Sequence, residues 1–237
     1  MVSALLCATA MAFAANLIFV VVSRTALISI PIMFMVLAWR HGRVRSILSV
    51  IGIGSVVIVA AWLASPHLRT RVFSAYSQFQ EYSNHDVPSS VGKRLEFWRK
   101  SLGFFSDAPL LGHGTGSTLK LFEEAAVGQS GAAAEVVANP HNQTFSVAIQ
   151  WGIVGLMVLY ALWFFHLRMF LTDDLAAELG AMLVVQNIVG SLFNSHLFDF
   201  TEGWLYVLGV GITGGILAKR LAVDSGEAAA MKVPAGE

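Results

Sequence analysis

A short polar segment, Asn139-Pro140-His141-Asn142, stands immediately before a long apolar run and is the first candidate for chemistry. Asn is a favoured helix N-cap and Pro is favoured at the first helical position, which predicts His141 in the first turn of the following helix. The partial positive charge of a helix N-terminus favours a neutral imidazole and attracts anions. His141 is therefore a candidate base beside a bound phosphate; the alternative is a histidine that only accompanies a helix cap in the wet interface.

Two arginines are candidates for holding an anionic group. Arg94 borders the apolar stripe of a predicted amphipathic helix, where its forked donors suit a phosphate or diphosphate; the alternative is an interfacial arginine whose stem lies along apolar surface. Arg24 lies between two apolar runs with no acidic residue within twenty positions, so water, lipid phosphate, a ligand or a distant carboxylate must meet its charge. Group transfer from a diphosphate needs a stabilised leaving group and a base, which this arginine pair and His141 supply.

Two further segments are polar without a clear catalytic pattern. The glycine-rich segment 112–116 lacks the lysine of a P-loop and follows no strand, so it predicts a turn rather than a phosphate cradle. Asn194, His196, Asp199 and Glu202 predict an ordinary hydrated turn, although this turn lies on the same predicted side of the membrane as His141.

Nothing in the sequence predicts a metal site or a cofactor. Asp173 and Asp174 are predicted to cap the following helix, and no Asp-x-Asp element occurs in the chain. The single cysteine, Cys7, lies in an apolar run and provides neither a disulfide nor a cysteine metal site. The absence of an Asp-x-Asp element leaves arginines as the counter-charge for a diphosphate.

The composition is that of an integral membrane protein. The chain has 237 residues, is 56% hydrophobic and only 13% charged, and its mean hydropathy is +0.67, whereas a typical globular protein is about 25% charged. Fifteen basic and fifteen acidic residues give a formal net charge of zero. The sequence therefore does not favour nucleic acid as a partner.

Six apolar runs approach the length of about 20 residues that a helix needs to cross a bilayer. They cover residues 2–22, 25–39, 46–64, 145–165, 175–193 and 204–218. The predicted fold is an all-α polytopic membrane protein with about six transmembrane helices and one long loop. The predicted domains are three transmembrane helices in 1–64, a periplasmic loop domain in 65–140, three transmembrane helices in 141–222 and a cytoplasmic disordered tail in 223–237.

Basic residues in the short connections predict the orientation. They occur at 40–45, at 168 and at 219–220, which all fall on one side of a six-span zigzag, and this side is predicted to be cytoplasmic. The long loop then lies in the periplasm. Within it, apolar residues recur at steps of three and four and predict an amphipathic helix with the stripe Val91, Leu95, Trp98, Leu102 and Phe105.

Five short motifs in order resemble the C-terminal half of the O-antigen ligase and polymerase family. They are Ser23-Arg24-Thr25-Ala26, Arg94-Leu95-Glu96-Phe97-Trp98, Pro109 followed by Gly112-x-Gly114-x-Gly116, Pro140-His141-Asn142, and Trp151-Gly152-Ile153-Val154-Gly155-Leu156. The resemblance spans residues 23–215 and implies a membrane glycosyltransferase of the GT-C type in the bacterial inner membrane. Such enzymes take a glycan from undecaprenyl diphosphate on the periplasmic face and join it to lipid A core or another glycan, without a metal or cofactor.

The resemblance also implies roles for individual residues. Arg24 and Arg94 would hold the diphosphate, and His141 would activate the acceptor hydroxyl. Candidates for substrate binding are their neighbours Asn142, Trp98 and Arg99 together with His196 and Asp199.

One departure from the family pattern leaves alternatives open. Members of the family have about twice as many spans, so the resemblance implies that the amino-terminal half is missing from this chain. A fragment or a truncated product would have an incomplete donor groove, whereas a separate polypeptide would supply the remainder. Different functions also remain: half of a secondary transporter, which the lack of a mid-bilayer carboxylate disfavours, or a non-catalytic scaffold, which would tolerate replacement of His141.

Overall fold

The computed structural model describes residues 2–16, 24–42, 44–85 and 89–231. Within these ranges the chain is entirely helical, which confirms the predicted all-α class. The elements are α1 Val2–Asn16, α2 Arg24–Arg40, α3 Val44–Ala64, α4 Pro66–His85, α5 Ser90–Asp107, α6 Ser117–Ala126, a 3-10 helix Gly131–Ala134, α7 Gln143–Met169, α8 Leu175–Ser191 and α9 Phe200–Met231.

Each of the six predicted apolar runs overlaps a helix of the structure. Three stretches are long and apolar enough to cross a membrane, namely Ile47–Ala64, Gln143–Met169 and Phe200–Val223, and two shorter apolar helices are Ile28–Arg40 and Leu175–Ser191. Helix α1 covers the first part of its predicted run, and residues 17–22 lie outside the described residues. The structure thus agrees with a polytopic membrane protein.

Basic side chains meet at one end of the helices, which we call the basic end. Arg40 donates from Nη1 to Phe170 O at 2.6 Å and from Nη2 to Thr172 O at 2.9 Å. Arg220 forms an ion pair with Asp174. The ends of α2 and α7, the start of α8 and the part of α9 around Arg220 therefore lie together, as the grouping of the basic segments predicted. Arg43 lies outside the described residues.

Asp174 caps α8, as predicted. Its Oδ1 accepts the Ala176 N–H at 2.7 Å, and this hydrogen bond, together with Arg220, lowers the pKa of the Asp174 carboxyl. The carboxylate is thus well placed at the start of a helix.

The predicted amphipathic helix is α5, but a neighbouring face of it is buried. Its N-cap is Ser89, whose side chain accepts the Gly92 N–H at 3.0 Å. Phe97 packs in a small core with Phe122 and Ile149 of α7, while Leu102 of the predicted stripe is exposed. The other four residues of the stripe are half-buried, so the stripe lies at the edge of the buried face of α5 and is only partly exposed.

Two charged residues of α5 lie on its buried face. Lys100 donates to the carbonyl of Ala133 and lies 5.7 Å from the centroid of the Phe122 ring. Burial lowers the pKa of Lys100, and the nearby charge of Glu96 opposes this change. Lys93 also pairs with Glu135, so α5 fixes the segment that leads to His141.

The carboxyl-terminal helix is longer than predicted. Helix α9 continues to Met231, whereas the prediction was a disordered tail from residue 223. Residues 227–231 read Glu-Ala-Ala-Ala-Met, all strong helix formers, and this composition favours continuation of the helix. Residues 232–237 lie outside the described residues.

Helix α7 is broken at Gly152, which has φ 58° and ψ −149°. In a regular helix, the N–H groups of Ile153 and Val154 would bind the carbonyls of Ile149 and Gln150, four residues earlier. The break releases all four groups. In an apolar environment each of them needs another partner.

The segment 109–114 supplies those four partners. It returns along α7 so that two of its N–H groups and two of its carbonyls replace the lost hydrogen bonds. The pairs are His113 N–H to Ile149 O at 2.8 Å, Gly114 N–H to Gln150 O at 2.9 Å, Ile153 N–H to Pro109 O at 2.8 Å and Val154 N–H to Leu110 O at 3.4 Å. Two motifs that are separate in the sequence thus pair with each other, and we call the paired segments 109–114 and 149–154 the joint.

The glycine-rich segment is a turn, as predicted, rather than a phosphate cradle. Gly112 N–H binds Ala108 O at 3.0 Å and Gly116 N–H binds the side chain of Gln150 at 2.7 Å. The N–H groups of residues 113 and 114 bind α7. Because these donors are paired within the chain, they are not directed at an anion.

Gly152→Ala is expected to destabilise the fold strongly. A Cβ at this position would lie 2.5 Å from the Leu110 carbonyl carbon, and a backbone in a region reserved for glycine costs about 1–3 kcal/mol for any other residue. We expect the melting temperature in detergent to fall. Gly211→Ala is the matched control, since nothing lies within 4 Å of its Cβ position; if both variants melt alike, the joint does not contribute to stability.

Candidate active site

His141 directly precedes α7 and is not part of it. Helix α7 begins at Gln143, and its N-cap is Asn142, whose Oδ1 accepts the Phe145 N–H at 3.2 Å. The prediction that Asn139 caps the helix and that His141 lies in its first turn is therefore wrong. The reason is that the side-chain oxygen Oδ1 of Asn139 is already used: it accepts the His141 N–H at 2.8 Å and the hydroxyl of Ser195 at 2.7 Å.

The backbone of His141 is in the left-handed region. With φ 53°, it is the only non-glycine residue with positive φ among the described residues. This conformation costs about 1–3 kcal/mol and persists only where the surroundings impose it, which is common at functional sites. Asn139 binds its N–H, and the next residue, Asn142, donates from Nδ2 to Leu192 O at 3.1 Å. The histidine is thus fixed between two anchored asparagines.

The imidazole of His141 ends a chain of three polar side chains. Its Nδ1 lies 3.0 Å from Asn194 Oδ1, and Asn194 Nδ2 donates to Asp199 Oδ2 at 2.5 Å. Because a carboxylate accepts hydrogen bonds, the Asn194 amide group must turn its NH₂ toward Asp199. Its carbonyl oxygen then accepts the proton of Nδ1. In the neutral imidazole, Nε2 therefore carries the lone pair, as a base requires.

The turn between α8 and α9 is locked to the start of α7. Ser195 is fully buried, with its hydroxyl 2.6 Å from that of Ser146. The Leu197 N–H donates to Gln143 Oε1 at 2.9 Å. The prediction of an ordinary hydrated turn does not describe this network, since its hydroxyls and amides bind α7 rather than water alone.

Of the polar residues in this turn, Asp199 joins the histidine and His196 does not. The ring of His196 packs against Gly190 and lines a small cavity between α8 and α9 with Glu202 and Tyr206. Asn194, which makes the direct contact with His141, was not among the predicted site residues. Its only signal in the sequence was its predicted side of the membrane.

Helix α5 brings its motif to the same place. The ring centroids of Phe97 and His141 lie 6.3 Å apart, and those of Trp98 and Phe145 lie 6.0 Å apart. Arg94 is half-buried and precedes Phe97 by three residues, about one helical turn. The structure therefore places the helical turn that carries Arg94 next to the turn in contact with His141.

Arg99 makes a two-pronged ion pair with Glu96. Its Nε and Nη2 lie 2.8 Å and 2.5 Å from the two carboxylate oxygens, and Glu96 is buried. This carboxylate compensates much of the charge that Arg99 would offer to a phosphate. The predicted role of Arg99 in substrate binding remains a prediction.

Arg24 begins α2, and its side chain lies outside the described part of the structure. Helix α2 ends with Arg40 at the basic end, so the backbone of Arg24 lies about 25 Å from Arg40 along the helix. Helix α2 packs against α8, which ends beside the turn that carries Asn194. Arg24 therefore lies toward the same end of the helices as His141.

The arrangement brings together a histidine whose Nδ1 contacts Asn194 and the helix that carries Arg94. In the described part of the chain, no group of three or more His, Cys, Asp or Glu side chains is placed to hold a metal ion.

One comparison with known proteins identifies a family. A family model described as O-antigen ligase matches residues 9–160, which is more than half of the 237 residues. No curated protein is significantly similar to the chain. The matched region includes both α5 and His141, and it ends before the turn that carries Asn194.

Proposed function

The chain belongs to the O-antigen ligase family, and from this premise we propose that it transfers a glycan from undecaprenyl diphosphate to a hydroxyl of an acceptor glycan. The acceptor is lipid A core or another surface glycan. The observation that carries the proposal is the hydrogen-bonded series Asp199–Asn194–His141, because it occupies Nδ1 of the imidazole and leaves Nε2 available as a base.

The proposed step is a substitution at the anomeric carbon. The acceptor oxygen forms a bond to this carbon while the bond to the diphosphate oxygen breaks, and the leaving undecaprenyl diphosphate keeps the electron pair. His141 Nε2 takes the proton of the acceptor hydroxyl. Arg94 and Arg24 stabilise the charge that develops on the diphosphate.

Transfer in isolated native membranes tests this function. Membranes that contain the chain should join a labelled undecaprenyl-diphosphate glycan to acceptor, whereas membranes from cells without it should accumulate the donor. Transfer should continue in EDTA, since the proposal assigns the diphosphate to arginines. Loss of transfer in EDTA that magnesium restores would contradict this assignment, and unchanged transfer without the chain would contradict the function.

We place the protein in the bacterial inner membrane with its basic end in the cytoplasm and His141 facing the periplasm. Positive charge in short connections favours the cytoplasmic side, and Arg40 and Arg220 both lie at the basic end. This orientation puts the base on the side where a lipid-linked glycan would meet its acceptor.

Cysteine labelling tests the orientation. With Cys7 replaced by Ser, a cysteine at the exposed Gln129 should react with a membrane-impermeant maleimide in cells whose outer membrane is permeable. A cysteine at the exposed Lys219 should react only after the inner membrane is opened. The reverse pattern would contradict the orientation.

A further inference from the structure

Two adjacent leucines are exposed in the turn after α5. Leu110 and Leu111 are 69% and 72% exposed, and they belong to the segment that pairs with α7 at the Gly152 break. In water, two exposed leucines forgo the stabilisation that burial of an apolar side chain provides. Their position relative to the apolar surface of α7 indicates what can cover them.

The turn lies at membrane depth. From Arg168 near the basic end to Gly152, α7 rises by about 24 Å, which is less than the hydrocarbon thickness of about 30 Å. The ring centroids of Trp151 and Phe198 lie 5.8 Å apart, and Phe198 shortly precedes α9, which begins at Phe200. This aromatic pair marks the outer interface, where tryptophan is enriched.

The surface beside the turn is apolar. The Val154 N–H donates to the carbonyl of Leu110, and the exposed side chains that follow along α7 include Met157 and Val158. These side chains belong to a stretch that is apolar enough to span a membrane. The two leucines therefore extend a surface that already faces lipid.

Much of the backbone of the turn is paired within the protein, which favours its position at membrane depth. Irregular backbone is tolerated at membrane depth only where its polar groups are paired within the protein. The carbonyls of Pro109 and Leu110 accept from α7, and the N–H groups of Gly112, His113 and Gly114 are bound within the chain. Proline itself has no N–H to satisfy.

We propose that residues 109–111 insert into the outer leaflet of the membrane as an anchor, with Leu110 and Leu111 among the upper parts of the lipid chains. The anchor fixes the carboxyl-terminal end of α5 at the membrane surface. It also brings the exposed Leu102 of that helix close to the membrane surface. The inference does not depend on the proposed transfer activity.

Fluorescence in vesicles tests the anchor directly. With Cys7 replaced by Ser, single cysteines are placed at Leu111, at Gln129 as the water-exposed control and at Val158 as the lipid-exposed control, and each is labelled with an environment-sensitive NBD dye. The protein is reconstituted in vesicles of phosphatidylethanolamine and phosphatidylglycerol. Nitroxide lipids, which quench the dye on contact, carry their label either near the headgroup or near the end of the acyl chain.

The dye at Leu111 should emit to the blue of the dye at Gln129, and the nitroxide near the headgroup should quench it more than the deep one. The dye at Val158 should favour the deep nitroxide instead. Emission and quenching at Leu111 equal to those at Gln129 would overturn the anchor. Unlabelled Leu111→Cys provides a second measurement, because it should react with an impermeant maleimide more slowly than Gln129→Cys in native membranes and equally fast in denaturing detergent; equal rates in membranes would also overturn it.

Discussion

Replacing Arg94 by Ala should reduce glycan transfer by about 10²- to 10³-fold, the usual loss when one preorganised donor to a transition-state charge is removed. The residue is half-buried, one helical turn before Phe97, whose ring contacts that of His141. At this place a guanidinium can hold the diphosphate with two parallel hydrogen bonds. Arg94→Lys should fail as well, because a single ammonium does not reproduce the fork.

The matched control is Arg168→Lys, since Arg168 is exposed near the basic end of α7, far from His141. Transfer is measured in native membranes at equal protein levels, and melting in detergent checks the fold of each variant. Arg24→Lys should behave like Arg94→Lys. Full transfer with Arg94→Lys would show that bidentate contact is not needed at this position.

The membrane architecture could be predicted from the sequence because it depends on local composition. Apolar runs identify spans directly, since every backbone polar group in a bilayer must be satisfied within the helix. The charges of the connections also carry information independent of packing: Arg40 and Arg220, far apart in the chain, were predicted on one side and lie at one end.

The cap of α7 could not be predicted, because local rules do not rank two equivalent residues. Asn139 and Asn142 are both good N-caps, and the choice depends on a partner more than fifty residues away. Ser195 binds Asn139 and leaves Asn142 to cap the helix. The same long-range contact moves His141 out of the helix and into its strained backbone conformation.

Side-chain patterns also did not predict which face of α5 is buried or that the two glycine motifs contact each other. The apolar stripe of α5 correctly predicts a helix, but lipid can cover such a stripe as well as protein can, so the pattern does not reveal which face packs inside. The buried position of Lys100 depends on a tertiary partner, the carbonyl of Ala133, which the pattern of α5 does not show. Likewise, Gly112 and Gly152 belong to separate motifs, and only the fold shows that each allows the backbone of the other segment to approach.

The substitution His141→Ala should lower transfer by about 10²- to 10⁴-fold, as expected for removal of a general base. Donor binding should persist, because the arginines hold the diphosphate. His141→Gln retains a hydrogen-bonding amide but cannot take a proton, so it separates a base from a residue that only orients the acceptor. If His141→Gln transfers glycan near the native level, His141 orients the acceptor and is not the base. If His141→Ala also retains transfer, the active site lies elsewhere.

Asn194→Ala supplies the finer test of how His141 works. This variant keeps the imidazole but removes the oxygen that binds its Nδ1 proton, so the proton can move to Nε2 and the base is lost in part of the molecules. The expected loss of transfer is smaller than for His141→Ala, and adding Asn194→Ala to His141→Ala should cost little more, since both act through one group. Nitrogen NMR of labelled histidine, with the His141 signal identified by its absence in His141→Gln, should show the Nδ1–H form in the native protein and a mixture in Asn194→Ala. If the native protein shows the Nε2–H form, His141 does not act through Nε2, whatever the transfer assays give.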